Sequence, residues 1–144
     1  MNWFAAHIVM WVKTKGKRQT RFPCWENIVL IQAPSEADAF AKAEKRGRQE
    51  EGDCDGTFRW GGQAATWVFG GVRKLVLCED PENRPGDGSE ITYNEIELES
   101  KEALDKWVAG ESTTLQYVDR FPSRNGNHNS RKTKPRSATA RVPR

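Results

Sequence analysis

Residues 3–12 are apolar in both strand phases. Phe4, Ala6, Ile8, Met10 and Val12 share one face of an extended segment, and Trp3, Ala5, His7, Val9 and Trp11 share the other. A strand that is apolar on both faces is covered on both, so the pattern predicts a central strand. A hydrophilic stretch, residues 13–21, contains Gly16 as its turn residue and leads to a second β-type run over residues 25–33. Two such runs joined by a polar, glycine-containing loop predict a long hairpin.

Pro34 and Ser35 end the second strand, and Ser35 is a good N-cap with Asp38 three residues on. The helix that follows places Ala37, Phe40 and Ala41 on one face, with Asp38/Lys42 and Glu44/Arg48 as i,i+4 pairs toward solvent. It is expected to fray between Gly47 and Gly52. Asp53-Cys54-Asp55-Gly56 reads as a turn into a short strand at residues 57–60. Another apolar run spans residues 66–78, and Gly70-Gly71 inside it predicts a bulge or bend.

Residues 79–89 are a loop by composition, with a strong turn signal at Pro85-Gly86-Asp87-Gly88. Residues 90–99 read as a strand whose apolar phase switches, which a bulge near Asn94 and Glu95 reconciles. Ser100 caps a second helix with Leu104, Trp107 and Val108 as its apolar stripe, and Gly110 stops it. Residues 113–118 add a brief final strand. The expected fold is α+β: a mainly antiparallel sheet of four or five strands with one long and one short helix packed on it.

Composition divides this picture in two. The chain has 144 residues and a net charge of +3, but from residue 120 onward it carries eight basic residues and no acid. The preceding residues hold the other 15 basic residues and all 20 acids, a net −5. After Phe121 the only large aliphatic residue is Val142, too little apolar surface to offset the entropy of ordering. Residues 1–118 are therefore read as a single domain and residues 119–144 as a disordered basic tail. All six tryptophans lie before it.

The order of elements and the placement of aromatics resemble a known family. Trp3-Phe4-Ala5-Ala6 opens the first strand, and Trp25-Glu26 enters the second. A Ser-Glu-Ala-Asp-Ala-Phe helix start follows at residues 35–40, then Trp67-Val68-Phe69-Gly70-Gly71-Val72 running into Leu75-Val76-Leu77, with Gly88-Ser89-Glu90-Ile91 closing the pattern. Over about residues 3–98 this resembles the small bacterial proteins known only as domain of unknown function 4288. The resemblance implies a compact α+β domain in a bacterial cytoplasm. It brings no established activity and no functional residues.

Chemistry-bearing groups are sparse. Cys24, Cys54 and Cys78 are odd in number and widely spaced, which fits free thiols in a reducing cytoplasm better than a disulfide framework. With His7 they lack the paired spacing of a structural zinc site, so no metal is expected. Asp53-Cys54-Asp55-Gly56 departs from a calcium loop, since Gly56 comes too early and Ala64 stands where the bidentate glutamate belongs. No phosphate-cradling glycine loop, dinucleotide fingerprint or nucleophile elbow is present, so no cofactor is expected. His7, on an apolar strand face, reads as a satisfied core or half-exposed residue. The apolar first strand has no basic segment before it and is too short to span a bilayer, so no membrane partner is expected.

Basic residues are the better candidates for contact with a partner. Lys13, Lys15, Lys17, Arg18 and Arg21 crowd one loop, flanked by Trp11, Phe22 and Trp25. Such a grouping suits phosphates and unstacked bases, or else simply a solvated loop. Arg131, Lys132, Lys134 and Arg136 offer salt-sensitive contact from the tail, with no aromatic residue for base stacking. The leading expectation is a non-enzymatic binding or accessory module acting on a macromolecular partner, a protein with an acidic surface or a nucleic acid. The alternatives are a small-ligand binder or enzyme with a pocket between sheet and helix, and sequence-independent nucleic-acid binding through the loop and tail.

Overall fold

The computed structural model describes residues 1–16 and 18–118. The fold is α+β, as the alternation of apolar runs predicts. A first compact unit comprises Met1–Tyr93, and a second begins at Asn94. In the first unit, β1 (Asn2–Thr14), β2 (Cys24–Ala33), β3 (Arg59–Trp60) and β4 (Gln63–Leu77) form one antiparallel sheet, and α1 (Glu36–Gln49) packs on it. Spatial order is β2-β1-β4-β3, so the doubly apolar β1 is central.

The register puts the two faces of β1 to different uses. Phe4, Ala6, Ile8 and Met10 join Ile31, Ala33, Ala39 and Ala43 in the core beneath α1, with Val29, Trp67, Phe69, Val72 and Leu75 packed against them. The opposite face carries Ala5 and His7, both without exposed surface. Strand β4 keeps this partition only by slipping twice against β1, between His7 and Ile8 and between Val9 and Met10. The second slip lies at Gly70-Gly71, the predicted bulge, and Gly71 adopts a positive φ of 134°. The first, at Arg73, had no glycine to announce it.

Helix α1 starts where Ser35 predicts, its side chain accepting from the Asp38 amide at 3.1 Å. Its buried stripe, however, is Ala39, Ala43 and Gly47, and the expected face of Ala37 and Ala41 is exposed. Small residues at i, i+4, i+8 bring the helix axis close to the sheet. A Cβ on Gly47 would lie 2.4 Å from two ring carbons of Phe69. The solvent-side charges are also used differently. Lys42 donates to the Gln32 carbonyl at 2.7 Å, Arg48 lies over the Phe69 ring, and Arg46 pairs with Glu50 at 2.7 Å.

In the second unit, Ser100 caps α2 (Lys101–Val108) and Gly110 follows its end with a φ of 77°. Only Ala103 of that helix is buried, so the predicted stripe of Leu104, Trp107 and Val108 is solvent-exposed. The strand expected over residues 90–99 shrinks to β5 (Ile96–Glu97), which pairs with β6 (Gln116–Tyr117). Residues 90–93 belong instead to the first unit. The proposed tail, from residue 119, lies outside the described residues. No helix among the described residues is long and apolar enough to cross a membrane.

Candidate functional site

Two clusters stand out, one on each face of the sheet. On the helix side, register pairs Met10 with Trp25 and with Phe69, Ile8 with Asn27, and Val12 with Trp67. These side chains therefore line one end of the core, where α1 terminates. The chain leaving α1 is pinned there by a two-way bridge: Gly52 donates to the Trp67 carbonyl at 3.1 Å, and Trp67 donates back at 2.8 Å. Glu50, two residues before the bridge, is thereby held at the mouth of the cluster. The result is a cavity of about 470 Å³ lined by Met10, Trp25, Asn27, Glu50 and Trp67.

The cavity walls are aromatic and mutually braced. Trp25 meets Trp67 at 4.9 Å between centroids with the planes 71° apart, and meets Trp60 at 5.5 Å and 90°. Phe58 stacks on Trp67 at 5.3 Å. Such edge-to-face contacts add about 0.5–1.5 kcal/mol each beyond burial and hold the rings in place. Yet Trp25 and Trp60 both remain 40% exposed. Of the two, Trp25 lines the cavity, and an exposed, braced tryptophan beside half-buried Trp67 with an amide and a carboxylate at hand forms a binding surface by general criteria.

On the other face, His7 is fully buried and hydrogen-bonded at both nitrogens, Nδ1 with Glu26 Oε1 at 2.7 Å and Nε2 with Thr92 Oγ1 at 2.6 Å. A carboxylate only accepts, so Nδ1–H donates to Glu26 and Nε2 accepts from the threonine hydroxyl. Burial pushes the imidazole's pKa below its ordinary value, outweighing the pull of Glu26 the other way, while Lys74 and Arg73 add to the lowering. Arg73 also reaches Glu26 Oε1, at 3.2 Å. Lys74, nearly buried, donates to the Tyr93 carbonyl and lies over the Tyr93 ring. Hydroxyl, imidazole and carboxylate are in line, but the imidazole has no exposed surface. What the cluster does is fasten residues 91–93 across the sheet, assisted by the Cys78 thiol against the Ile91 carbonyl. Burial also raises the pKa of that thiol.

The family model described as Domain of unknown function (DUF4288) matches residues 3–93. The chain belongs to that family. The match ends where the first compact unit ends, so the DUF4288 domain is the sheet, α1 and the strap that His7 holds. Comparison of this DUF4288 protein with curated proteins and with solved structures returns no match.

Of the basic candidates in the DUF4288 domain, Arg18 and Arg21 are exposed in the β1–β2 connection, whereas Lys13, expected in that loop, is exposed on the last pleat of β1, opposite Thr66 of β4. Lys15 is drawn aside: its ammonium pairs with Asp53, and its amide donates to the Ala64 carbonyl at 2.8 Å. Asp53 sits in a turn where its other oxygen accepts from the Gly56 amide at 3.0 Å, and the Lys15 bond comes first in holding its carboxyl below the usual range. Gln19 organises the connection by donating to the carbonyls of Val12 and Arg21. Lys17, Arg131, Lys132, Lys134 and Arg136 lie outside the described residues. Cys24 and Cys54 are exposed free thiols, and Cys78 is buried. Among the described residues no three His, Cys, Asp or Glu side chains gather as metal ligands would.

A pocket between sheet and helix is among the expected alternatives, but neither its residues, Trp25 and Trp67, nor the His7–Thr92 bond could be named from sequence. The first left a faint signal, since Trp25 and Trp67 both enter strands flanking β1. The second spans 85 residues and left none.

Proposed function

We propose that this protein is a non-enzymatic binding module whose macromolecular partner is a protein, and that the partner seats a side chain in the cavity between Trp25 and Trp67. The observation that carries this is the exposure of Trp25, braced by Trp60 and Trp67, at the wall of an open cavity. Tryptophan is costly to leave in water, and rigid aromatic groups at a concave surface are where interface energy concentrates. The His7 network supports the reading by rigidifying the sheet from behind, so that the cavity is preformed. Three unbridged cysteines, two of them exposed, support a reducing, cytoplasmic setting.

The test is selection from a displayed random-peptide library on the wild-type chain, with counter-selection on a Trp25→Ala variant shown to be folded. Peptides that need Trp25 support the module. Peptides that bind both proteins equally, or no enrichment at all, refute it.

A second reading, phosphate contact through the end of β1 and the β1–β2 connection, is supported by exposed Lys13, Arg18 and Arg21 and by the Trp11–Phe22 pair, whose centroids are 5.6 Å apart. It predicts nucleic-acid binding that weakens steeply with salt. Absent or salt-insensitive binding to generic RNA and DNA refutes it.

A further inference from the structure

We infer that the cavity between Trp25 and Trp67 is a receptor for an alkylammonium group, presented by a lysine-type side chain of the partner; this rests on the binding-module reading and names what the module recognises. Three observations converge on a cation. The walls include two indole rings inclined at 71°; Phe58 covers one face of Trp67, and Trp25, 40% exposed, offers open π-surface. Indole is the ring that attracts cations most strongly, within about 6 Å of its centroid. Among the described residues of the lining the one ionisable side chain is a carboxylate, Glu50, with Asn27 supplying an amide. The remaining liner is the Met10 thioether, soft and polarisable, and itself almost fully buried.

Both basic residues of the last turn of α1 are already engaged. Arg46 takes Glu50 Oε1 at 2.7 Å, and the Arg48 guanidinium lies over Phe69 at 5.3 Å from its centroid. The Arg48 contact shows the same end of α1 using a ring face to hold a cation. Arg46 and a ligand would share the two oxygens of one carboxylate. A sugar, the other common ligand of tryptophan, stacks on an open flat ring face; here Trp25 packs at steep angles of 90° and 71° against Trp60 and Trp67, which suits a compact group in a corner. The inferred partner group is thus positive, opposite in sign to the acidic partner that the basic loop and tail suggest.

Choline and 3,3-dimethylbutan-1-ol provide the test, because they have the same shape and differ in a quaternary nitrogen against a quaternary carbon. Each is titrated into the full chain while the indole N–H signals of the six tryptophans are followed by NMR. Choline is expected to shift the Trp25 and Trp67 signals saturably, binding at least tenfold tighter than the alcohol, which is about 1.4 kcal/mol. Glu50→Gln should weaken choline severalfold and leave the alcohol unchanged. Equal binding of the two compounds, or no shift of those two indoles with choline, overturns the inference. Trp25-dependent peptides without a cationic residue would also overturn it while leaving the binding module intact.

Discussion

Replacing Gly47 with alanine sets helix propensity against packing. In an unobstructed helix, glycine to alanine gains about 1 kcal/mol. Here the new methyl would lie 2.4 Å from Phe69 Cδ2 and Cε2 and 3.1 Å from Ile8 Cγ2. The ring carbons fall roughly 1 Å or more short of the 3.5–4.0 Å at which carbon atoms rest. Phe69 cannot swing freely, because Arg48 lies over it and the sheet backs it. Overpacking of this kind costs about 1–3 kcal/mol. At the upper end of that range it exceeds the propensity gain, and G47A should be destabilised by about 2 kcal/mol. Urea unfolding with an unchanged m-value measures it. In a Phe69→Leu background the clashing ring atoms are gone, so the same substitution should become neutral or stabilising. A gain in stability from G47A in the wild-type background would refute the close approach of α1 to the sheet. Because Glu50 follows three residues later, the displaced helix should also weaken choline binding.

His7 gives a pH dependence with a definite sign. Its folded pKa lies below its unfolded value, so the unfolded chain binds the proton more readily, and stability falls as pH drops below about 6.5. The urea midpoint should be lower at about pH 5.5 than at about pH 7.5, a window above the carboxylate range. An unchanged or higher midpoint in acid would mean that His7 is not held neutral. Thr92→Val removes the hydroxyl that serves His7 Nε2 and should cost about 1–3 kcal/mol, read by thermal unfolding. A loss below about 0.5 kcal/mol would show that the strap is not held there. Finally, a thiol reagent should titrate Cys24 and Cys54 quickly and Cys78 only on unfolding. Three equally fast thiols would contradict the burial of Cys78.

Local pattern carried much of the fold and little of the site. Central placement of β1, the β1–β2 hairpin, the Ser35 and Ser100 caps and the Gly70-Gly71 bulge all follow from one or a few adjacent residues, and each appears where expected. The buried face of α1 did not follow, because Phe40 outweighs Ala39, Ala43 and Gly47 in any apolar tally, whereas the sheet selects the stripe small enough to approach. Residues 90–93 read as a strand from composition but are claimed by the first unit through Thr92 and Tyr93, whose partners His7 and Lys74 are far away in sequence. The Trp25–Trp67 cavity likewise depends on the register of two different strands against β1, which no single segment encodes. Of the basic residues chosen from sequence, Lys15 was lost to an acid 38 positions away.

Chemical-shift mapping with a peptide selected as Trp25-dependent tests the central claim most directly. The largest perturbations are expected on Trp25, Asn27, Glu50 and Trp67, with the β1–β2 connection nearly unchanged. Perturbations confined to Lys13, Arg18, Arg21 and their neighbours would contradict that claim and place the working surface on the basic loop.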